Sequence, residues 1–579
     1  MNRLVPNIWG KATAALRRSP QFSWVDAVVL LALMAVVYGI GRTAQQWTGA
    51  LRPSVEIDLS ARALPKYTLF SLTRGLAAYV LSLFFSLGYG YWAAKDRVAE
   101  RVLIPILDIL QSIPVLGFMP GVVLALVAAF PRSNIGLELA SVLLIFTGQA
   151  WNMTFSFYHS LRSIPLDQQQ VATVYRFSPW ERFRWVELPF SAIGLVWNSM
   201  MSMAGGWFFL MISEAFVLGD KDFRLPGLGS YMSVAVARGD KGAMIWAILA
   251  MAAMIVLLDQ LLWRPVVVWA EKFRVEEGSA GQAQSSWFYS WLRRSNLVER
   301  LHERLKRSSS AKETRERSEV SLRQRASRQW VGKFVSTLLL LAMLLGGIFG
   351  GYHLFVLLRL VSAAQWKGTL LSALLTLGRV LFATALGTVW TVPVGLAIGL
   401  SARLSRLLQP VIQLLASFPA PMLFPAATAI LAAAGISLGW GSVVLMLLGT
   451  QWYVLFNVIA GASAVPADLR EAATSYHFGR SERLWKLYLP AIFPYLVTGW
   501  VTAAGGAWNA SIVSEYVTFQ GKALATVGLG AQISEAAAAA NLPLLSASVV
   551  VMSAMVVAFN RMVWKRLNML AETKFSLSK

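Results

Sequence analysis

The chain has 579 residues, 56% of them hydrophobic and 14% charged, with a mean hydropathy of +0.56, more apolar side chain than a soluble fold of this size can bury. It has no cysteine and only four scattered histidines, His159, His302, His353 and His477, so disulfides and thiolate metal sites are excluded and a histidine metal site is not expected. The net charge of +23 lies in short loops beside apolar runs, which fits the positive-inside rule of a membrane protein and not a nucleic-acid-binding face.

The amino terminus is basic (Arg3, Lys11, Arg17, Arg18), and no small-residue cleavage site follows the first apolar run, so it reads as an uncleaved cytoplasmic end. Spans of about 20 residues follow at 24–42, 72–94, 102–130, 137–159, 189–217 and 243–268. A second set is expected at 334–358, 378–400, 408–434, 438–463, 490–516 and 543–566. Backbone groups in lipid must be bonded within their own segment, and the apolar runs show no strand-like alternation. The expected fold class is therefore an all-α membrane protein of about twelve transmembrane helices. Between the two sets, residues 270–333 carry fifteen Lys or Arg, eight Glu and a serine run, so this segment lies outside the membrane. The organisation is a first half at 1–269, a cytoplasmic charged linker at 270–333 and a second half at 334–579.

The two halves are one unit written twice. At a shift of 305, Arg74 falls on Arg379, Pro105 on Pro410, Pro114 on Pro419 and Pro120 on Pro425. At a shift of 301, Trp151 meets Trp452, Pro165 meets Pro466, Trp207 meets Trp508, Glu214 meets Glu515 and Gly227-Leu228-Gly229 meets Gly528-Leu529-Gly530. With an even number of crossings in each half, the repeat is parallel and both halves share one orientation.

A polar segment of equal length joins the fourth and fifth spans of each half, Pro165 to Pro189 and Pro466 to Pro490. Proline and then Asp468 open a short helix, because proline suits the first turn and a carboxylate suits the positive end of the dipole. Ser178-Pro179-Trp180-Glu181 then has the form of a capping box, with Gly479 and Glu482 at the equivalent places. Each loop is thus two short helices at the cytoplasmic surface, a lever that a second protein can push.

Glu471-Ala472-Ala473, followed eighteen residues after the glutamate by Leu489-Pro490, resembles the EAA loop of the membrane subunits of binding-protein-dependent ABC importers. The proline-rich run Pro410 to Pro425 and the run Gly505 to Glu515 are similar to the nitrate, sulfonate, taurine and bicarbonate branch, whose fused permeases share the duplicated arrangement. The resemblance implies a permease that couples to separate ATP-binding subunits through Gln170, Ala172, Arg176, Ser178 and Glu181 in one half. In the other the positions are Glu471, Ala472, Ala473, His477, Gly479 and Glu482. It implies no cofactor in this chain, with ATP and magnesium on the partner. It further implies two copies of an ATP-binding subunit, a periplasmic substrate-binding protein and residence in the bacterial cytoplasmic (inner) membrane. The chain has no GxxxxGK[ST] phosphate loop of its own. The family's usual glycine is replaced by Arg176 and His477, and Gln170 stands opposite Glu471. Those departures leave the turn geometry open and suggest that the two loops engage their ATPase sites non-equivalently.

Ionisable residues within spans are default functional positions. Glu214 and Glu515 are expected to brace or gate the path, and Arg74 and Arg379 to attract an anion or to reach the headgroups. Gln111, Ser112, Gln149 and Asn152, with Ser417, Gln451, Asn509 and Ser511, are expected to line a pathway or to bond between helices. The proline-rich third spans are expected to be broken beside a cavity. The leading reading is an importer permease for a small anion, and the alternative is a twelve-helix secondary transporter driven by an ion gradient.

Overall fold

A computed structural model describes residues 24–49, 56–218, 221–273, 286–292, 322–519 and 522–575. The basic residues Arg3, Lys11, Arg17 and Arg18 and most of the linker expected at 270–333 lie outside the described residues. The uncharged runs of the first half become helices α1 (Trp24–Thr48), α2 (Leu64–Lys95), α3 (Arg97–Ser112), α4 (Val115–Ala129) and α5 (Ile135–Arg162). They continue as α6 (Leu166–Val174), α7 (Leu188–Glu214), α8 (Leu228–Arg238) and α9 (Lys241–Leu258). The same order returns in α10 (Leu322–Leu358), α11 (Ala363–Gly399), α12 (Ala402–Ser417), α13 (Phe424–Ala433) and α14 (Leu438–Ser463). It ends with α15 (Ala467–Ser475), α16 (Leu489–Ser514), α17 (Leu529–Ala538), α18 (Leu542–Phe559) and α19 (Lys565–Lys574).

The chain divides into two compact units, Met1–Gln45 with Leu258–Ala342 and Gln46–Leu257 with Met343–Lys579. Among its described residues the first holds most of α1, the helix Arg264–Ala270, the short helix Trp287–Leu292 and the start of α10. The second holds the inner helices of both repeats and the candidate site described below. There α5 packs between α2 and α7, and α14 packs in the same way between α11 and α16. The core of the second repeat is aliphatic, with Val454, Val458, Ile492 and Leu496 in one buried cluster.

Among the described residues nine helices are long and apolar enough to cross a membrane, or up to eleven when each of two bent pairs counts as one. The pairs are α3 with α4, bent by 97°, and α12 with α13, bent by 83°, which are the two proline-rich third spans. Proline removes an N–H and pushes the residue before it out of the helical region. Ile113, before Pro114, is accordingly extended at φ −78°, ψ 124°, and Phe418, before Pro419, at φ −75°, ψ 128°. The span expected at 137–159 is present as α5, but Glu138, Gln149 and Asn152 make it less apolar, so length and apolarity alone do not reach twelve.

Two short antiparallel hairpins interrupt the helices: Val217–Leu218 with Lys221–Asp222, and Tyr516–Phe519 with Lys522–Ala525, the latter pairing Tyr516 with Ala525. Both follow the glutamate that ends a fifth span, where the second run is rich in β-branched and aromatic residues. Wide π-helical turns recur at matched positions, Phe183–Glu187 before α7 and Arg483–Tyr488 before α16. They recur again at Asp259–Trp263 and Asn560–Trp564. Such turns re-aim the residues around them and are frequent where a helix meets a functional element.

Candidate functional site

Each connecting loop is a nine-residue helix, α6 or α15, followed by a short second helix that runs through the π-helical turn into the fifth span. Both nine-residue helices bury a single side chain, Ala172 in α6 and Ala473 in α15. Gln170, Glu471 and Ala472 are exposed, and so are the apolar Val174, Tyr175 and Tyr476, each more than 70% accessible. Both helices end in the same way. The N–H of Phe177 donates to the Ala172 carbonyl over 2.9 Å and that of Arg176 to Thr173 over 3.0 Å, and Phe478 and His477 repeat the pair on Ala473 and Thr474. This closure needs a left-handed residue, which is Arg176 at φ 53° and His477 at φ 54°. The turn of a glycine therefore survives without the glycine, at about 1–2 kcal/mol of steric cost in each loop.

The capping box at Ser178 is complete, with Glu181 N–H donating to Ser178 Oγ (3.2 Å) and Ser178 N–H to Glu181 Oε2 (2.7 Å). Gly479 keeps only the second bond, donating its N–H to Glu482 Oε2 at 3.0 Å. The roots of the loops differ more. In the first half Glu187 is fully buried and receives Lys95 Nζ at 2.5 Å and Arg182 Nε at 2.9 Å, which ties the end of α2 to the loop. In the second half Tyr488 and Leu400 occupy the equivalent positions and pack against the apolar cluster around Val454 and Leu496.

At the other end of α2, Arg74 sits in a buried knot. Its Nη1 donates to Glu214 Oε1 at 2.7 Å and to the Pro226 carbonyl at 2.8 Å, while Nε and Nη2 hold Glu138 at 2.6 and 2.8 Å. Glu214 also accepts from Ser71 Oγ and from the Gly229 N–H at the start of α8. A Cβ on Gly227 would overlap the Glu214 carboxylate, which is why the Gly-Leu-Gly run opens this helix. The second half repeats the knot with Arg379, Glu515, Thr376 and Gly530. It lacks one carboxylate: Gly439 lies where Glu138 stands, and Thr526 Oγ1 takes the free Arg379 Nη2 at 3.2 Å. A buried guanidinium is tolerated only when paired, and here both are. Because α2 carries Arg74 near its start and Lys95 at its end, one helix of about 1.5 Å rise per residue connects the knot to the loop.

Between these ends, within the second compact unit, the repeats line a partly open cavity of about 300 Å³. Both proline breaks face it, through Ser112 and Val115 in one half and Ser417, Pro419 and Ala420 in the other. The N–H of Val115, first residue of α4, is left free by the break and donates to Asn509 Oδ1 on α16 at 2.8 Å, joining the two halves at the cavity wall.

The profile of the family described as "Binding-protein-dependent transport system inner membrane component" matches residues 86–262 and again 391–563, more than half of the chain. The chain belongs to this family. It is a duplicated permease, with one family match in each half. It is similar to the bicarbonate transport system permease protein CmpB of Synechococcus elongatus, at 28% identity over 152 residues, covering 26% of this chain and 53% of the relative. It is also similar to the nitrate import permease protein NrtB of the same organism, at 26% over 155 residues (27% and 54%). The taurine transport system permease protein TauC of Escherichia coli matches at 29% over 177 residues (30% and 59%). The chain thus spans little more than half the length of these relatives.

Five of the polar residues expected on a pathway meet at the permease's cavity: Gln111, Ser112, Asn152, Ser417 and Asn509. The others do not line it. Gln149 is buried, donating to Met203 Sδ at 3.3 Å, and Ser511 donates to the Trp508 carbonyl at 2.8 Å, both bonds that hold helices in place. Gln451 lies beside Gly387 of α11. Arg74, Glu214, Arg379 and Glu515 belong to the knots, and neither arginine reaches out toward headgroups: Arg74 is 1% and Arg379 15% exposed. The sequence reading missed the aromatic walls, among them Trp151, Trp452, Tyr453 and Phe418. The repeat itself held the signal, since Trp151 and Trp452 occupy one register. Glu138 and Glu187 were missed because neither recurs in the second half.

Proposed function

We propose that this permease is the membrane-spanning part of an ATP-driven importer for a small solute of the anionic kind carried by its bicarbonate, nitrate and taurine relatives. Two ATP-binding subunits, bearing the ATP and magnesium, press on the loops at 165–189 and 466–490, and a periplasmic binding protein delivers solute at the opposite end. The amino terminus and the linker lie on the cytoplasmic side of the inner membrane, where the Lys and Arg excess belongs. The observation that carries this reading is the pair of loops with matching backbone closure, whose first helices each bury one alanine and leave most of their other side chains exposed, rooted on helices that border the shared cavity. Exposed tyrosine and valine on an ordered helix suit docking into a groove of a second protein.

In operation, closure of the ATPase pair moves both loops. The Lys95–Glu187–Arg182 cluster passes the motion to α2, and the apolar root at Tyr488 and Leu400 passes it to α11. The cavity then opens alternately to either side, with the proline breaks giving way. The knots keep α8 and α17 fixed to the fifth spans throughout.

The test is ATP hydrolysis by the copurified complex in lipid. Tyr175→Ala together with Tyr476→Ala should lower hydrolysis at least tenfold while the permease still folds. Hydrolysis unchanged by the double variant would remove the loops from the coupling path. The differing roots also predict unequal losses for the two single variants, and equal losses would count against non-equivalent engagement.

A further inference from the structure

The cavity walls carry a chemical signature that bears on what passes through. We propose that the cavity accepts an organic solute with an aromatic or apolar body and at most one charge, and does not accept a free inorganic oxyanion such as nitrate or bicarbonate. The proposal rests on the importer reading and narrows its substrate class. Among the described residues that line the cavity none is Asp, Glu, Lys, Arg or His. Its walls are aromatic on both sides, with Trp151 and Phe208 from one repeat facing Trp452, Tyr453 and Phe418 from the other.

Size and solvation point the same way. An ion of four heavy atoms displaces on the order of two waters, roughly 60 Å³, against about 300 Å³ of open space. That space matches the lower end of sites that hold small organic molecules. A bare oxyanion has no apolar body whose burial offsets the cost of leaving water, and none of the wall residues is a cation that would compensate its charge. Three of the five neutral amides in the wall already serve the fold. Asn509 Oδ1 is taken by Val115, Gln111 Nε2 donates to Asp108, and Gln413 Nε2 donates to Met200 Sδ. The side chains of Asn152 and Asn560 make no hydrogen bond among the described residues and line the cavity, so two neutral amides remain to orient a single polar head. Aromatic faces reward a ring or an apolar body and give a bare oxyanion nothing.

The experiment is equilibrium binding to the full permease with its ATP-binding subunits in lipid nanodiscs, using radiolabelled benzenesulfonate and unlabelled competitors. The expected result is saturable binding that nitrate and bicarbonate fail to displace, and that methanesulfonate, the same head without the ring, displaces at least tenfold less well. Trp151→Leu and Trp452→Leu should each weaken binding about tenfold, a difference of about 1.4 kcal/mol. Trp452→Phe, which keeps an aromatic face, should bind nearly as the parent does and guards against a folding artefact. Displacement by nitrate or bicarbonate, equal competition by methanesulfonate, or no saturable binding would each overturn the proposal. ATP hydrolysis in the same nanodiscs reports the importer reading separately, so the two can fail independently.

Discussion

Val115 and Asn509, 394 positions apart, share a 2.8 Å hydrogen bond that joins the broken third span of one half to the fifth span of the other. The proline break that exposes the Val115 N–H and the side chain that receives it are one device. A free helix-terminal donor beside a cavity finds its acceptor across the repeat interface.

Asn509→Ala should therefore cost about 1 kcal/mol, as loss of a helix cap does. Asn509→Gln, which retains a neutral amide oxygen and has room to adjust in the cavity, should cost less. Thermal unfolding of the purified permease in one lipid composition measures both. Equal destabilisation by the two variants would mean that the acceptor oxygen is not what matters at this position.

The two knots predict an ordering. Glu214→Gln removes the carboxylate that Arg74, Ser71 and Gly229 all use, and breaking such a buried pair costs about 3–5 kcal/mol. Glu138→Gln should cost clearly less, because it leaves Arg74 as Arg379 already is, with one carboxylate opposite one guanidinium. Folded yield and thermal stability of the two variants supply the comparison, and the reverse order would contradict the assigned roles.

Glu187 anchors the first loop alone. Glu187→Gln should speed backbone hydrogen exchange at 166–182 and leave 467–482 unchanged, since the second loop is rooted on Tyr488 and Leu400. Equal acceleration in both loops would show that the Lys95–Glu187–Arg182 cluster is not a local anchor.

The left-handed Arg176 and His477 give a prediction of opposite sign. Arg176→Gly and His477→Gly each relieve steric strain of about 1–2 kcal/mol, partly offset by the added freedom of an unfolded glycine. Each should leave the permease as stable as before or slightly more so. A loss of several degrees in thermal midpoint would mean that these side chains make contacts that outweigh the strain.

Much of this organisation was legible in the sequence because a duplicated chain repeats its constraints. Proline pairs at 114/419 and 120/425 marked the broken spans, and the Ser178 capping box could be read before any coordinates, because each is a local rule of backbone geometry. What escaped was whatever depends on three-dimensional pairing in one half alone. Glu138 matches a glycine and Glu187 a tyrosine, so the repeat carried no warning of either ion cluster. Sequence also could not tell a polar residue facing the cavity, such as Asn152, from one buried between helices, such as Gln149, three residues earlier on the same helix. The short hairpins after Glu214 and Glu515 were lost among apolar runs of no distinctive period.

The absence of cysteine from the sequence allows a direct test of how the loops are used. Val174→Cys and Ser475→Cys each place one thiol on the exposed side of a loop helix, and a short bifunctional reagent can then be applied to intact complexes in membranes. Both positions should cross-link to an ATP-binding subunit, with yields that change when ATP is added. Failure of both to reach that subunit, or cross-linking to a component on the periplasmic side, would contradict the claim that force enters this permease through its two cytoplasmic loops.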